Sequence, residues 1–156
     1  AEENRQNLER FLVENKGYSK EDILVDPPIS MVIAGEPYRS KIDIVVRAGG
    51  RSFMAVKCAA GSLGSREREI TYAARLFEEF IIPFSLVSDG KTAILIDTFT
   101  GKVLGEGLGA ILSAEEAVVR IKEITPTAVD EKRLEREKLV FRTYDTENVN
   151  RYIPEE

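Results

Sequence analysis

The sequence predicts a mixed α/β (α+β) fold around one central mixed sheet. Three observations predict it: apolar residues recur at helical spacing in several segments, β-branched runs flank Gly49–Gly50, and two further apolar runs flank Asp89–Gly90. The elements follow the order helix, strand, hairpin, helix, hairpin, helix, helix, which is typical of this class. A chain of 156 residues has about the length of one domain.

Each predicted element has a local signal. Apolar residues at i, i+3 and i+4 predict the first two helices, and Gly49–Gly50 accepts the positive φ of a hairpin turn. Ser113, followed three residues later by Glu116, forms a capping box that begins the third helix. The glycine-rich stretch 101–109 is predicted as a flexible connection, since it lacks the order of a phosphate-binding loop. The predicted elements are helices over residues 2–16 and 65–80, strands over 23–25, 31–34, 41–47, 51–58, 84–87 and 92–97, a short helix after 113, and a charged helix after Thr125–Pro126.

Composition excludes several classes of function. There are 22 Lys and Arg against 27 Asp and Glu, a formal net charge of −5, which excludes a general basic coat for nucleic acid but not a local basic groove. Cys58 is the only cysteine and histidine is absent, which excludes disulfides, Cys/His zinc sites and imidazole catalysis. No run approaches the roughly 18 apolar residues of a membrane span, and the polar N-terminal residues are unlike a signal peptide. We therefore expect a cytoplasmic protein with no membrane contact.

Two charged residues interrupt the apolar strands of the first hairpin. Asp43 begins one strand and Lys57 stands near the end of its partner. A charge inside such a strand costs several kcal/mol unless it is paired or holds a metal. Either the two side chains form a structural ion pair, or they face a polar cleft in which a carboxylate holds a divalent ion and the ammonium stabilises developing negative charge.

Five short motifs, in order, resemble the N-terminal nuclease domain of type I restriction enzyme R subunits, a branch of the PD-(D/E)xK nuclease superfamily. They are EENRQ at 2–6, KGYSKE at 16–21, KIDIVV at 41–46, AVKC at 55–58 and YA at 72–73. The resemblance implies a restriction-endonuclease-like core of order α-β-β-β-α-β over residues 1–112, followed by a C-terminal helical extension over 113–156. It also implies action on DNA with Mg²⁺.

The resemblance assigns roles to individual residues. Asp43 matches the strand-borne metal-binding aspartate and Lys57 the catalytic lysine of the signature. Glu3 matches a helix-one glutamate that joins the metal shell, and the Val56 carbonyl is the accompanying backbone ligand. Tyr72 matches the tyrosine of a Gln-x-x-x-Tyr motif associated with the active site and DNA.

Two positions depart from the family pattern. Ala55 stands where the signature has an acid, and Arg68 stands where the helix motif has glutamine. Since magnesium is usually held by one or two carboxylates, the loss of one leaves a thin protein shell. Glu67 in the first turn of the second helix is the candidate substitute acid; the alternative is that it only complements the helix dipole.

The exposed face of the second helix is a candidate nucleic-acid contact. Arg68, Tyr72 and Arg75 share it, as either a phosphate-contacting strip with one aromatic side chain or an ordinary solvated face.

Two candidate functions follow from these observations. The first is a nuclease-fold protein that binds DNA and is degenerate or weakly active as a metal-dependent endonuclease. The alternative is an inactive structural or interaction module that dimerises, or binds a protein partner, through its charged C-terminal helix, whose narrow apolar stripe contains Leu134 and Phe141.

Overall fold

A six-stranded mixed sheet forms the centre of the structure, a computed structural model that describes residues 2–60, 63 and 66–152. The elements in chain order are α1 Glu2–Glu14, β1 Ile23–Val25, β2 Pro28–Ile33, β3 Glu36–Lys41, β4 Ile44–Ala48, β5 Arg51–Cys58, α2 Glu67–Leu76, β6 Phe84–Ser88, β7 Ala93–Asp97, β8 Val103–Glu106, α3 Ala114–Glu123 and α4 Glu131–Tyr152.

The strand order of the central sheet is β1-β4-β5-β6-β7-β8, and β2 and β3 form a separate hairpin inserted between β1 and β4. Strand β5 pairs in parallel with β6, whereas its other neighbour, β4, is antiparallel. Because a parallel pair requires a crossover, α2 connects β5 to β6. Without the inserted hairpin, the succession is α1, β1, β4, β5, α2, β6. The predicted α+β fold with a mixed sheet is therefore confirmed.

Helices cover both faces of the sheet. Alternation along β5 sends Val56 to one face and Ala55 to the other, and both side chains are fully buried. Helices α1 and α3 pack on the first face, where Leu8, Leu12 and Ile121 join the core. Helices α2 and α4 cover the second face; its core residues are Ile29, Ile42, Val45, Ala55, Ala59, Ile70, Ala73, Ala74, Ile82, Val87 and Phe141. The candidate site lies on this second face.

Several boundaries differ from the predicted ones because of tertiary contacts. Helix α2 ends at Leu76 instead of continuing to 80, since the backbone N–H of Ile82 donates to the carbonyl of Ala74 at 2.9 Å and turns the chain back. Helix α4 begins at Glu131, and the Asp130 carboxylate accepts from the N–H of Lys132 at 3.0 Å as its N-terminal cap.

Two strands were not predicted. Strand β3 is largely exposed and pairs only with β2 across its hairpin, so it lacks the apolar run by which a strand is recognised. Strand β8 lies within the glycine-rich stretch predicted as a connection, and it adds to the edge of the sheet beside β7. Among the described strands, each of the two pairs with one neighbour only and is largely exposed, so its own residues show no alternating apolar pattern.

Of the two C-terminal helices, α3 packs on β4 and β5 of the central sheet, whereas α4 packs on α2 and on β2 of the inserted hairpin. The predicted capping box of α3 is confirmed: the N–H of Glu116 donates to Ser113 Oγ, and the N–H of Ser113 donates to Glu116 Oε1, each at 3.1 Å. Helix α3 adds Ala117 to the first core and α4 adds Phe141 to the second. None of the helices in the described part of the chain combines the length and apolar composition that crossing a bilayer requires.

Candidate functional site

Asp43 lies at the point where the chain enters β4, directly beside the end of β5. The pairing of Ile44 with Val56 brings the two strand ends together, and Asp43 Oδ2 accepts a hydrogen bond from the backbone N–H of Cys58 at 2.7 Å. The Asp43 carbonyl accepts from the N–H of Asp26 at 3.0 Å. Asp43 therefore ties the end of the hairpin together, with its second carboxylate oxygen outside that contact.

Lys57 is paired with a carboxylate of α2. Its Nζ lies 3.4 Å from Glu69 Oε1; the Lys57 side chain is 22% exposed and that of Glu69 is 4% exposed. The ion pair between Asp43 and Lys57, one of the two alternatives left open by the sequence, is not formed, because each group has a different partner. The lysine is thus stabilised by an acid that lies outside the strand signature.

The acid that reaches Lys57 is Glu69, not Glu67. Residues two positions apart in an α-helix are separated by about 200° around its axis, so Glu67 and Glu69 lie on nearly opposite sides of α2. Glu69 faces the sheet, whereas Glu67 lines a cavity on the other flank of the helix together with Arg68. The acid of this turn that faces the sheet is therefore Glu69, and its carboxylate meets Lys57.

The position of the missing acid is sealed by apolar packing. Ala55 is fully buried in the second core, and Val56 beside it is fully buried on the opposite face of the sheet. Glu3 is exposed on α1, although its neighbour Asn4 reaches the end of β5 through a 3.5 Å contact of Nδ2 with the Ala59 carbonyl.

The donor set does not fit the magnesium site implied by the resemblance. No three Asp, Glu or Cys side chains within residues 2–60, 63 and 66–152 gather in a metal-binding arrangement. Magnesium requires near-octahedral oxygen ligation, and Ala55 supplies no oxygen from its side chain. Metal binding by Asp43, Glu3, Val56 and Glu67 remains a prediction, and the structure offers fewer donors than it requires.

The strip on α2 is only partly exposed. Arg68 is exposed and its Nη1 donates to the Tyr144 hydroxyl of α4 at 3.1 Å. Arg75 is 13% exposed: its Nη1 lies 3.2 Å from Glu137 Oε1 of α4, and its Nε donates to the Thr98 carbonyl at 2.8 Å. We expected the side chains of the strip to be exposed together. Arg68 is exposed, whereas Arg75 is held by contacts with Glu137 and Thr98.

Tyr72 lies between these two arginines along the helix. The guanidinium of Arg75 sits 5.0 Å from the centre of its ring, within the range of a cation–π contact. Together the strip borders a cavity of about 290 Å³ with a polar lining. The lining residues are Glu67, Arg68, Thr71, Tyr72, Arg75, Thr100 and Gly101.

Helix α4 makes contacts with the inserted hairpin that the sequence analysis did not predict. Asp145 is buried and accepts hydrogen bonds from the Tyr38 hydroxyl and, at 2.8 Å, from Ser40 Oγ of the inserted hairpin. Burial and this carboxylate raise the pKa of Tyr38 to about 12. The available signal was spacing: Glu137, Phe141 and Asp145 follow one another every four residues, so they share one face of the helix with the buried aromatic ring.

The apolar stripe of α4 is used within the chain itself. Phe141 is 1% exposed and its ring meets that of Tyr38 edge-on at 6.2 Å. The Phe141 part of the stripe is therefore covered within the chain, and contact with a second copy or a protein partner stays a prediction. Cys58 is also structural: burial raises the pKa of its thiol to about 12, with a further contribution from the charge of Asp43, so the thiol is not a ready nucleophile.

The succession α-β-β-β-α-β around a mixed sheet, with Asp43 and Lys57 at the ends of adjacent strands, defines a nuclease-like fold. The chain belongs to the family described as type I restriction enzyme R protein N terminus (HSDR_N), whose match covers residues 1–111. Neither the curated proteins nor the solved structures contain a match to the chain. Helices α3 and α4 lie beyond the matched residues.

Proposed function

We propose that this domain binds DNA through the face of α2 that carries Arg68 and Tyr72, and that metal-dependent phosphodiester hydrolysis is lost or strongly reduced in it. Membership in the restriction enzyme family supports DNA as the class of ligand. The charge balance of −5 requires the contact to be local, since the protein as a whole repels phosphate.

The ion pair between Lys57 and Glu69 carries the proposal of reduced hydrolysis. In the family pattern, an acid two residues before the lysine helps to hold the metal, and the lysine ammonium stabilises charge on the attacked phosphate. Here Ala55 contributes no oxygen, and the positive charge of Lys57 is compensated by a nearly buried carboxylate. A substrate phosphate would have to compete with Glu69 for the ammonium, so both parts of the catalytic arrangement are weakened.

The cavity beside α2 supports DNA binding without cleavage. Arginine guanidinium groups donate to phosphate oxygens, and a tyrosine ring provides a stacking surface for a base. The exposed Arg68 borders the cavity with Tyr72, and the neutral hydroxyl of Tyr144 leaves the charge of Arg68 uncompensated. This combination accommodates a phosphate and an adjacent base more readily than it accommodates a metal ion.

Binding is tested by titrating the native chain and two variants with single-stranded and duplex DNA at several salt concentrations. Arg68→Ala should weaken binding and lower the slope of log K against log salt by about 0.7 to 0.9, the loss of one phosphate contact. Arg136→Ala, which removes the same charge from an exposed position of α4, is the control and should leave the slope nearly unchanged. Equal behaviour of the two variants would contradict the proposed surface.

Hydrolysis is tested with Mg²⁺ or Mn²⁺ on the same DNA. We expect no cleavage by the native chain, and cleavage by Ala55→Glu that a further Lys57→Ala substitution removes. Circular dichroism checks that each variant is folded, because position 55 is buried. Metal-dependent cleavage by the native chain that is abolished in Lys57→Ala would overturn the proposal, and Glu69→Gln would then test whether Glu69 is the substitute acid.

A further inference from the structure

Helix α4 lies across the face of α2 that is proposed to bind DNA. Both carboxylate oxygens of Glu137 contact Arg75 Nη1, at 3.2 and 3.4 Å, and the Tyr144 hydroxyl accepts from Arg68 at 3.1 Å. The Glu137 carboxylate therefore meets Arg75 as a phosphate group would. Two of the three members of the predicted DNA-contacting strip are engaged by one helix of the same chain.

The attachment of α4 is mostly polar. Among its described side chains, Phe141 is the fully buried apolar anchor. Other contacts are hydrogen bonds, including those of Asp145 to Tyr38 and Ser40 and a 3.0 Å bond from Lys138 Nζ to the Val32 carbonyl. On displacement of the helix, the groups in such bonds can exchange their protein partners for water. A helix held in this way is more easily displaced than one with a broad apolar face.

The position of α4 in the chain points in the same direction. The family match ends at residue 111, whereas α4 begins at Glu131. The helix therefore lies beyond the matched residues, and it packs on the candidate binding face of α2. Beside the apolar cluster that Phe141 joins, the contacts of α4 with Arg68 and Arg75 are polar or charged on both sides, as expected of a surface that also recognises an anionic ligand.

We propose that α4 and DNA compete for one surface, the Arg68–Arg75 face of α2, so that α4 limits DNA binding until it is displaced. This inference rests on the proposed function, because it assumes that this face binds DNA. If the competent state is a minor population, the apparent dissociation constant is raised by the reciprocal of that population. Weakening the contacts of α4 with α2 then strengthens DNA binding.

The test compares Glu137→Gln with Glu131→Gln in the full chain, using single-stranded and duplex DNA. Both substitutions remove one negative charge from α4, but Glu131 is exposed and forms no hydrogen bond or ion pair with the described residues of α2, so it controls for general electrostatics. Glu137→Gln should bind DNA about fivefold or more tightly than Glu131→Gln. Tyr144→Phe, which releases Arg68 without a change in charge, provides a second variant if Glu137→Gln fails to fold.

Hydrogen exchange provides a second measurement, because DNA would not change the amide exchange rates of α4 if the helix were only structural. Added DNA should speed amide exchange in residues 131–146 and leave β5 and β6 protected. Equal affinity of the two glutamine variants, with exchange in α4 unchanged by DNA, would overturn the competition and leave DNA binding by α2 standing. Absence of binding by the native chain, Glu137→Gln and Tyr144→Phe alike would overturn both proposals, whereas binding only by the loosened variants supports the competition.

Discussion

The ammonium group of Lys57 on β5 lies 3.4 Å from the carboxylate of Glu69 on α2. The contact joins β5 to the helix that covers it, at a depth where Glu69 is almost completely buried. An acid is thus present beside the lysine even though position 55 is alanine, but it comes from a different element and is already paired.

The Lys57–Glu69 pair should show measurable coupling. A double-mutant cycle with Lys57→Met and Glu69→Gln, followed by urea unfolding, should give an interaction energy of about 1 to 2 kcal/mol, because the pair is largely shielded from water. Exposed pairs contribute less, so the corresponding cycle for Lys138 and Glu135, whose carboxylate side chain is 63% exposed, should give under about 0.5 kcal/mol. Equal coupling in the two cycles would contradict the assignment of a buried pair.

Asp43 should matter for stability independently of any catalysis. Asp43→Ala leaves the N–H of Cys58 without its carboxylate acceptor, which should cost about 1 to 3 kcal/mol of unfolding free energy. Asp43→Asn keeps an oxygen acceptor at the same place and should lose less. Chemical denaturation of both variants distinguishes this capping contact from a side chain that serves only a metal ion, for which neither change would lower stability.

Phe141 should be the main apolar anchor of α4. Phe141→Ala removes a ring that is 1% exposed and should lower the unfolding free energy by about 3 to 5 kcal/mol. Leu139→Ala is the matched control on the same helix, because Leu139 is 42% exposed, and its effect should stay within about 0.5 kcal/mol. Similar losses for both substitutions would mean that α4 packs with a different face toward the sheet.

The capping box of α3 predicts a pH dependence. Hydrogen bonding first to the backbone N–H of Ser113 and then to its side chain lowers the pKa of Glu116 below the ordinary 4.5. A lowered folded-state pKa means that the stabilisation is complete above about pH 4.5 and is lost as pH falls through the folded value. The stability difference between the native chain and Glu116→Gln should therefore shrink on acidification below pH 4.5, measured by thermal unfolding; a difference that grows would contradict the capping contact.

Much of the fold could be predicted because its signals are local. The hairpin turn at Gly49–Gly50 requires positive φ at both glycines, and the structure has φ values of 58° and 77° there. The capping box at Ser113 is likewise a relationship between residues three positions apart. Strands β3 and β8 could not be predicted in the same way, since each is largely exposed and is defined by a neighbour rather than by its own apolar pattern.

The sequence by itself determined the class of the fold, the family, the two charged residues at the strand ends and the absence of an acid at position 55. Only the tertiary structure decided which acid approaches Lys57. Glu67 and Glu69 are both acids of the first turn of α2, and the rotation of α2 about its axis determines which of them faces the sheet. It also decided that α4 packs on its own domain. Periodicity reveals which residues share a face of a helix, whereas the partner of that face depends on how distant segments bury their apolar area together.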